Sequence, residues 1–134
     1  MAMELTISFP GGACVDAACG DDMVIRTDQP VSGGGERSAP TPFELFLASM
    51  GTCAGIYVLS FCQQRGLPTD EIRIREKVEM DPQTHLVSEV KLEIQLPPDF
   101  PRKYESALVR AAELCAVKRH LEIPPAVKVE TQIG

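Results

Sequence analysis

The stretch TPFELFLASMGTCAGIYVLSFCQQRG, Thr41 to Gly66, decides how the rest of the chain reads. It opens on a helix-start signature. Thr41 can serve as N-cap, Pro42 suits the first helical position, and Glu44 stands where its carboxylate can reach back to the cap N–H. Gly66 followed by Pro68 marks a stop. The spacing predicts one helix from Pro42 to Arg65, roughly 36 Å long at about 1.5 Å per residue. From Leu45 to Cys62 no residue is charged, and the apolar side chains fall all round the helix. Such a helix is buried on all sides or spans a membrane. Three features oppose spanning: about eighteen uncharged residues is the lower limit for crossing, the run contains Ser49, Gly51, Thr52, Gly55 and Ser60, and no basic flank precedes it. A core helix, with no membrane association, is the expectation.

The flanks say what covers it. Before it, Leu5–Phe9, Ala13–Ala18 and Met23–Thr27 are short apolar stretches separated by the turn signals PGG and CGDD, which predicts a three-strand meander. A Gly/Pro/Ser loop from Asp28 to Pro40 follows and is the segment expected to move most. After the helix, EIRIREKVEM alternates Ile72, Ile74, Val78 and Met80 with charges, and HLVSEVKLEIQL alternates Leu86, Val90, Leu92, Ile94 and Leu96. With DPQT between them they predict an antiparallel hairpin with one wet face. A second helix carries Tyr104, Leu108, Ala111 and Cys115 on one stripe. AVKVETQI, with Val127, Val129 and Ile133 alternating, predicts a last strand. The order βββ-α-ββ-α-β is an α+β fold, antiparallel sheet around a helix too apolar to be exposed. A chain this short cannot easily cover both sides of that helix, so an obligate homodimer is expected.

At 134 residues the chain has the length of a single domain, 1–134. Its net charge of −6 excludes a general nucleic-acid binder, which needs a basic face. MAMELTISFPGG has neither the basic nor the apolar region of a signal peptide, so the cytoplasm, where thiols stay reduced, is the expected compartment. Five cysteines are not a disulfide framework, no pair has C-x-x-C spacing, and His85 and His120 are the only histidines, so no metal site is expected. No dinucleotide fingerprint, P-loop or repeat is present.

Cys53 and Cys62 fall on opposite sides of the helix and roughly 13 Å apart along it, too far for a disulfide. Cys62 reads as a core residue. Cys14 and Cys19, oddly spaced, would face opposite ways from one strand and read as packing residues. Ser49, Gly51, Thr52 and Gly55 surround Cys53 with small groups that would let a substrate come close. Cys115 precedes Lys118, Arg119 and His120, cations that could favour a thiolate. Taken without any relative, packing accounts for both thiols more simply than chemistry does, and nothing in the sequence brings them together.

A resemblance shifts that balance. Thr41-Pro42-x-Glu44-Leu45-Phe46-x-Ala48-Ser49-x-Gly51-x-Cys53 resembles the first motif of the OsmC/Ohr family of osmotically induced and organic-hydroperoxide-resistance proteins. Cys115-Ala116-Val117-Lys118-Arg119 resembles the second, normally a Cys-Pro-Val run followed by a basic residue. The resemblance implies an intertwined homodimer with two interfacial active sites, and thiol-dependent reduction of organic hydroperoxides, with hydrogen peroxide a further substrate. Cys53 and Cys115 are the redox pair, a dithiol is the reductant, and no cofactor is required.

Two departures accompany it. Ohr-type members place a glutamate directly after the motif's proline, hydrogen-bonded to a catalytic arginine. Here Phe43 takes that place and Glu44 comes one residue later, where it doubles as the capping-box residue. No arginine precedes Arg26; Arg37, in the Gly-rich loop, is the candidate to activate Cys53. The catalytic set implied is Cys53, Cys115, Arg37 and Glu44. The alternative is a dimeric binding or redox-sensing protein whose thiols do not turn over.

Overall fold

The computed structural model describes residues 3–134. The chain divides into two compact units, one ending at Ala48 and the other running from Ser49 to Gly134.

The first unit begins with an antiparallel meander, β1 (Thr6–Gly11), β2 (Cys14–Cys19) and β3 (Met23–Thr27), in the order β1-β2-β3. Its turns fall on Gly12 and Gly20, both at positive φ, a conformation that costs glycine nothing. The meander has little cover: Ile7, Phe9, Met23 and Val24 are all more than half exposed.

The loop after β3 is built, not free coil. Asp28, 1% exposed, accepts hydrogen bonds from the N–H groups of Gln29, Glu36 and Ser38 and from the Ser38 hydroxyl. These donors, the Ser38 hydroxyl first, hold its carboxyl far below the usual carboxylate range. The loop closes through Asp28 N–H to the Pro40 carbonyl, 3.1 Å. Gly35 lies so close to Gln29 that a Cβ there would stand 2.1 Å from its carbonyl oxygen.

Helix α1 (Pro42–Gln64) starts in this unit with the predicted capping box. Thr41 N–H donates to Glu44 Oε1 at 3.0 Å and Glu44 N–H to Thr41 Oγ1 at 3.1 Å. Its C-terminus falls one residue before the predicted Arg65.

In the second unit α1 supplies the core. Its buried residues Met50, Ala54, Val58, Phe61 and Cys62 make one stripe. Strands β4 (Arg73–Met80) and β5 (Val87–Gln95) form the predicted antiparallel hairpin, pairing Ile74 with Ile94 and Val78 with Val90. Asp81 closes the turn by accepting from the N–H groups of Gln83 and Thr84. Helix α2 (Glu105–Glu113) adds Leu108, 1% exposed, which packs with Val58, Phe61, Cys62 and Phe100. Ile72, Ile74, Ile94 and Leu96 close the cluster. The helix is long and apolar enough to cross a membrane, yet this stripe works as a core.

One expectation is met and two are corrected. As expected of so short a chain, α1 is not covered on all sides: Phe43, Phe46 and Ile56 stay 40–56% exposed. The second helix does not continue through Cys115; it ends at Glu113, and a separate helix α3 (Ala116–Glu122) follows. No strand forms over residues 126–133, so the βββ-α-ββ-α-β order stops short of its final β. A strand needs a neighbour for its ladder, and none pairs with this segment, whose Val127, Val129 and Ile133 are 84–99% exposed.

The hairpin also holds a carboxylate on its inner face. Glu76 lies between Ile74 and Val78 on the same side of β4. Its Oε1 would stand 2.6 Å from a Cβ added at Gly51, so the carboxylate holds this position against α1 because residue 51 has no side chain. Its Oε2 is buried without a hydrogen-bond partner. Burial pushes the Glu76 carboxyl above its ordinary value, offset in part by the Gly51 N–H. A carboxyl raised on folding favours the native state most when protonated. Native stability is therefore greatest below the unfolded value, about 4.3, and declines as pH rises through the folded one. Glu76→Gln removes that dependence. Urea unfolding at pH 4, 6 and 8 should show the wild type losing stability relative to the variant as pH rises; parallel profiles would refute the buried charge.

Candidate active site

Cys53 sits in the fourth turn of α1, half-buried. Cys115 is the N-cap of α3, with φ −49° and ψ 128°, and is 2% exposed. The break between α2 and α3 presents Cys115 to α1: its thiol donates to the Met50 carbonyl oxygen at 4.0 Å, and it stands near enough to Cys53 that each sulfur shifts the ionisation of the other. Two cysteines with no sequence proximity thus meet in the second unit.

The two thiols are driven in opposite directions. Cys53 is held below its ordinary thiol value, chiefly by the Val117 N–H, then by the Cys115 thiol and the Ala116 N–H, against the opposing effect of burial. Burial pushes Cys115 up, and a negative Cys53 raises it further. The bias runs towards thiolate at Cys53 and towards thiol at Cys115. Naming Arg37 as the activating group left these backbone donors out of account. Their signal is weak in sequence, because it requires knowing that the helix breaks at Cys115. Cys62, wholly buried, is pushed up by desolvation and lies in the core, as expected.

Arg37 and Glu44 meet in the first unit as a two-pronged ion pair, Nη1 to Oε1 at 2.5 Å and Nη2 to Oε2 at 2.8 Å. Arg37 has a positive φ of 54°, unusual for a residue with a side chain. Its N–H bonds to Gln29 O at 3.0 Å, and its neighbours Glu36 and Ser38 are fixed by Asp28. The guanidinium and then the Thr41 N–H hold the Glu44 carboxyl down at about 2. Glu44 serves as capping-box residue and arginine partner together, so the two roles weighed for it are compatible. A cleft of about 450 Å³ is bordered by Arg37, Glu44, Ala39, Pro40, Leu45 and Ala48. Among the described residues no group of three or more His, Cys, Asp or Glu is arranged to hold a metal ion.

The family profile for OsmC-like proteins matches residues 33–130, spanning the ion pair and both cysteines. The chain belongs to the OsmC-like family. Solved structures share its α+β fold at low identity. One, assigned to osmotic stress induction and detoxification response in Psychrobacter arcticus 273-4, is 20% identical with a TM-score of 0.73, over 89% of this chain and 87% of that one. An OsmC-like protein from Mycoplasma pneumoniae is 12% identical with a TM-score of 0.69, over 91% and 88%. An organic hydroperoxide resistance protein from Legionella pneumophila is 17% identical with a TM-score of 0.54, over 90% and 89%. No protein of curated function matches the sequence significantly.

In this OsmC-like protein the alanine after Cys115 has a physical consequence. Position 116 is the first residue of α3, where proline is well tolerated because its missing N–H has no intrahelical partner. Alanine keeps that N–H, which adds a small contribution to holding the Cys53 thiol down. Cys115 already has the extended ψ that a following proline requires. Ala116→Pro should therefore fold normally while raising the Cys53 pKa. The pH dependence of iodoacetamide alkylation at Cys53 reads the shift, and an unchanged midpoint would show that the Ala116 N–H contributes nothing.

Proposed function

We propose that this protein is a cytoplasmic thiol peroxidase that reduces organic hydroperoxides, and hydrogen peroxide less well, through Cys53 and Cys115. The observation that carries the reading is the placement of Cys115, at the cap of α3 and against α1, beside Cys53, with Cys53 biased towards thiolate and Cys115 towards thiol. That is the asymmetry a nucleophile and its resolving partner need. Cys53 thiolate attacks the terminal peroxide oxygen. The O–O bond breaks, an S–O bond forms, and the alkoxide leaves as the alcohol after taking a proton. The Cys115 sulfur then attacks Cys53 sulfenic acid, a disulfide forms, and water departs with the Cys115 proton. A dithiol returns both thiols by exchange. Every electron comes from sulfur, so no metal, flavin or haem is needed.

Arg37 and Glu44 are assigned to the peroxide. The carboxylate holds the guanidinium plane, and the remaining N–H donors serve the oxygen on which charge develops. The working form is assigned as a homodimer. Exposed Ile7, Phe9, Phe46 and Ile56, and the unpaired Val127–Ile133 segment, are apolar surface that a second copy would bury.

The test is consumption of cumene hydroperoxide with a dithiol reductant. Turnover by the wild type, falling at least about tenfold in Arg37→Met, is the expected result. Oxidation to a Cys53–Cys115 disulfide that the dithiol does not turn over would make the protein a redox sensor instead. Sedimentation at micromolar concentration should show two chains; a monomer would remove the dimer.

A further inference from the structure

We propose that the reducing thiol enters by the path the peroxide uses and attacks Cys53, so that the mixed disulfide forms on Cys53 and Cys115 is the sulfur released. The inference rests on the peroxidase reading and adds the direction of its reductive half.

The argument begins with access. Cys115 is 2% exposed in a single chain, and association with a second copy can only lower that figure. Cys53 is half-buried, and any channel that lets a peroxide oxygen reach its sulfur lets a thiolate reach the same atom. Cys115 has no such requirement, because its only partner in the oxidative half is Cys53.

Geometry adds a second constraint. Displacement at sulfur proceeds in line, the entering and leaving atoms lying on opposite sides. When Cys115 attacks the sulfenic acid, the departing oxygen lies on the far side of Cys53 Sγ, in the space where the peroxide stood. The disulfide then points from Cys53 towards Cys115, and the vacated oxygen position is the in-line approach for an incoming thiolate. Both displacements run along one axis through Cys53 Sγ, in opposite senses. In-line attack on Cys115 Sγ would have to come from behind it, through its buried surroundings beside Met50.

Leaving-group chemistry pulls the other way. The sulfur with the lower thiol pKa departs faster, and that is Cys53. It would favour attack on Cys115 if both atoms were open. Access decides, because rate constants for exchange apply only to sulfurs that can be reached. The electronic bias helps in the next step, when the reductant's second thiolate attacks its own mixed-disulfide sulfur and expels Cys53, stabilised by the Val117 N–H. In balance, the first exchange forms one S–S bond and breaks one, and Cys115 takes up a proton. The second closes the reductant's disulfide and restores the Cys53 thiolate.

The experiment uses full-length protein oxidised with one equivalent of cumene hydroperoxide, and in parallel with diamide. Each sample is treated briefly with the monothiol N-acetylcysteine, quenched with iodoacetamide and mapped by mass spectrometry. The expected result is N-acetylcysteine on Cys53 and carbamidomethyl on Cys115, with at least about tenfold preference over the reverse. N-acetylcysteine mainly on Cys115, or equally on both, overturns the inference and leaves the peroxidase reading intact. A disulfide formed by diamide and not by hydroperoxide removes the peroxidase reading while the position of the adduct still decides the direction of exchange. No Cys53–Cys115 disulfide with either oxidant removes both.

Discussion

Cys53→Ser should lower hydroperoxide consumption by on the order of a thousandfold or more, to the uncatalysed rate, because removing a nucleophile leaves no route for breaking the O–O bond. Cys115→Ser should behave differently. Its Cys53 keeps the Val117 and Ala116 N–H groups, and a serine hydroxyl can still donate to the thiolate, so the first equivalent of peroxide is consumed at close to the wild-type rate. The reaction then stalls at the sulfenic acid, which dimedone should trap, and further peroxide carries it to the sulfinic acid. A burst of one equivalent per chain followed by a slow phase is the kinetic signature. The burst rate should rise with pH to a plateau reached below the range of an ordinary thiol, about 8.5, since more of a thiol held below its usual value is ionised at neutral pH. Cys19→Ser, in β2, should match the wild type. Comparable loss in Cys115→Ser and Cys53→Ser during the first turnover would mean that the two sulfurs do not divide the work this way.

What could be read without coordinates was whatever depends on periodicity and local punctuation. The capping box at Thr41–Glu44, the meander, and the hairpin with Ile74 facing Ile94 all lie where alternation and turn residues put them. What was missed depends on placement by tertiary contact. Glu76 occupies an inward position by simple alternation between Ile74 and Val78, yet its charge suggested the wet face; the missing Cβ of Gly51 leaves space for its carboxylate. The stripe Tyr104, Leu108, Ala111 and Cys115 reads as one continuous helix, and the break that turns Cys115 into the cap of α3 carries no proline or glycine. The donors that bias Cys53 are backbone N–H groups, which every residue but proline has, so composition cannot reveal them. The loop from Asp28 to Pro40 looked loose because it is rich in glycine and serine, and one buried carboxylate organises it. The alternation of Val127, Val129 and Ile133 suggested a strand, yet nothing pairs with this segment and it stays exposed.

Leu108→Ala should produce the largest loss of stability, about 2–5 kcal/mol. Leu108 is 1% exposed and central to the cluster that joins α2 to Val58, Phe61 and Cys62 of α1 and to Phe100. Truncation removes several buried carbons and leaves a void bounded by an aromatic ring and a helix, neither of which can collapse freely. Alanine has a slight helix-propensity advantage over leucine, far too small to offset the cavity. Against a total stability of about 5–15 kcal/mol for an ordinary domain, the loss is large enough to move a urea midpoint by roughly 1 M or more at a slope of about 1–3 kcal/mol/M. Val109→Ala, at a 47% exposed position next to it, is the control and should change stability by less than about 0.5 kcal/mol. The same substitution carries a functional consequence. Leu108 anchors the helix whose end leads directly into Cys115, so loosening it spreads the positions that the resolving sulfur samples. The first attack on peroxide needs only Cys53 and its donors, whereas disulfide closure needs Cys115 in line with the S–O bond. Leu108→Ala should therefore slow disulfide formation more than sulfenic acid formation, measured under conditions where the variant is still folded. A destabilisation below about 1 kcal/mol would mean that α2 is not seated on α1 as described, and equal slowing of both steps would mean that α2 does not position Cys115.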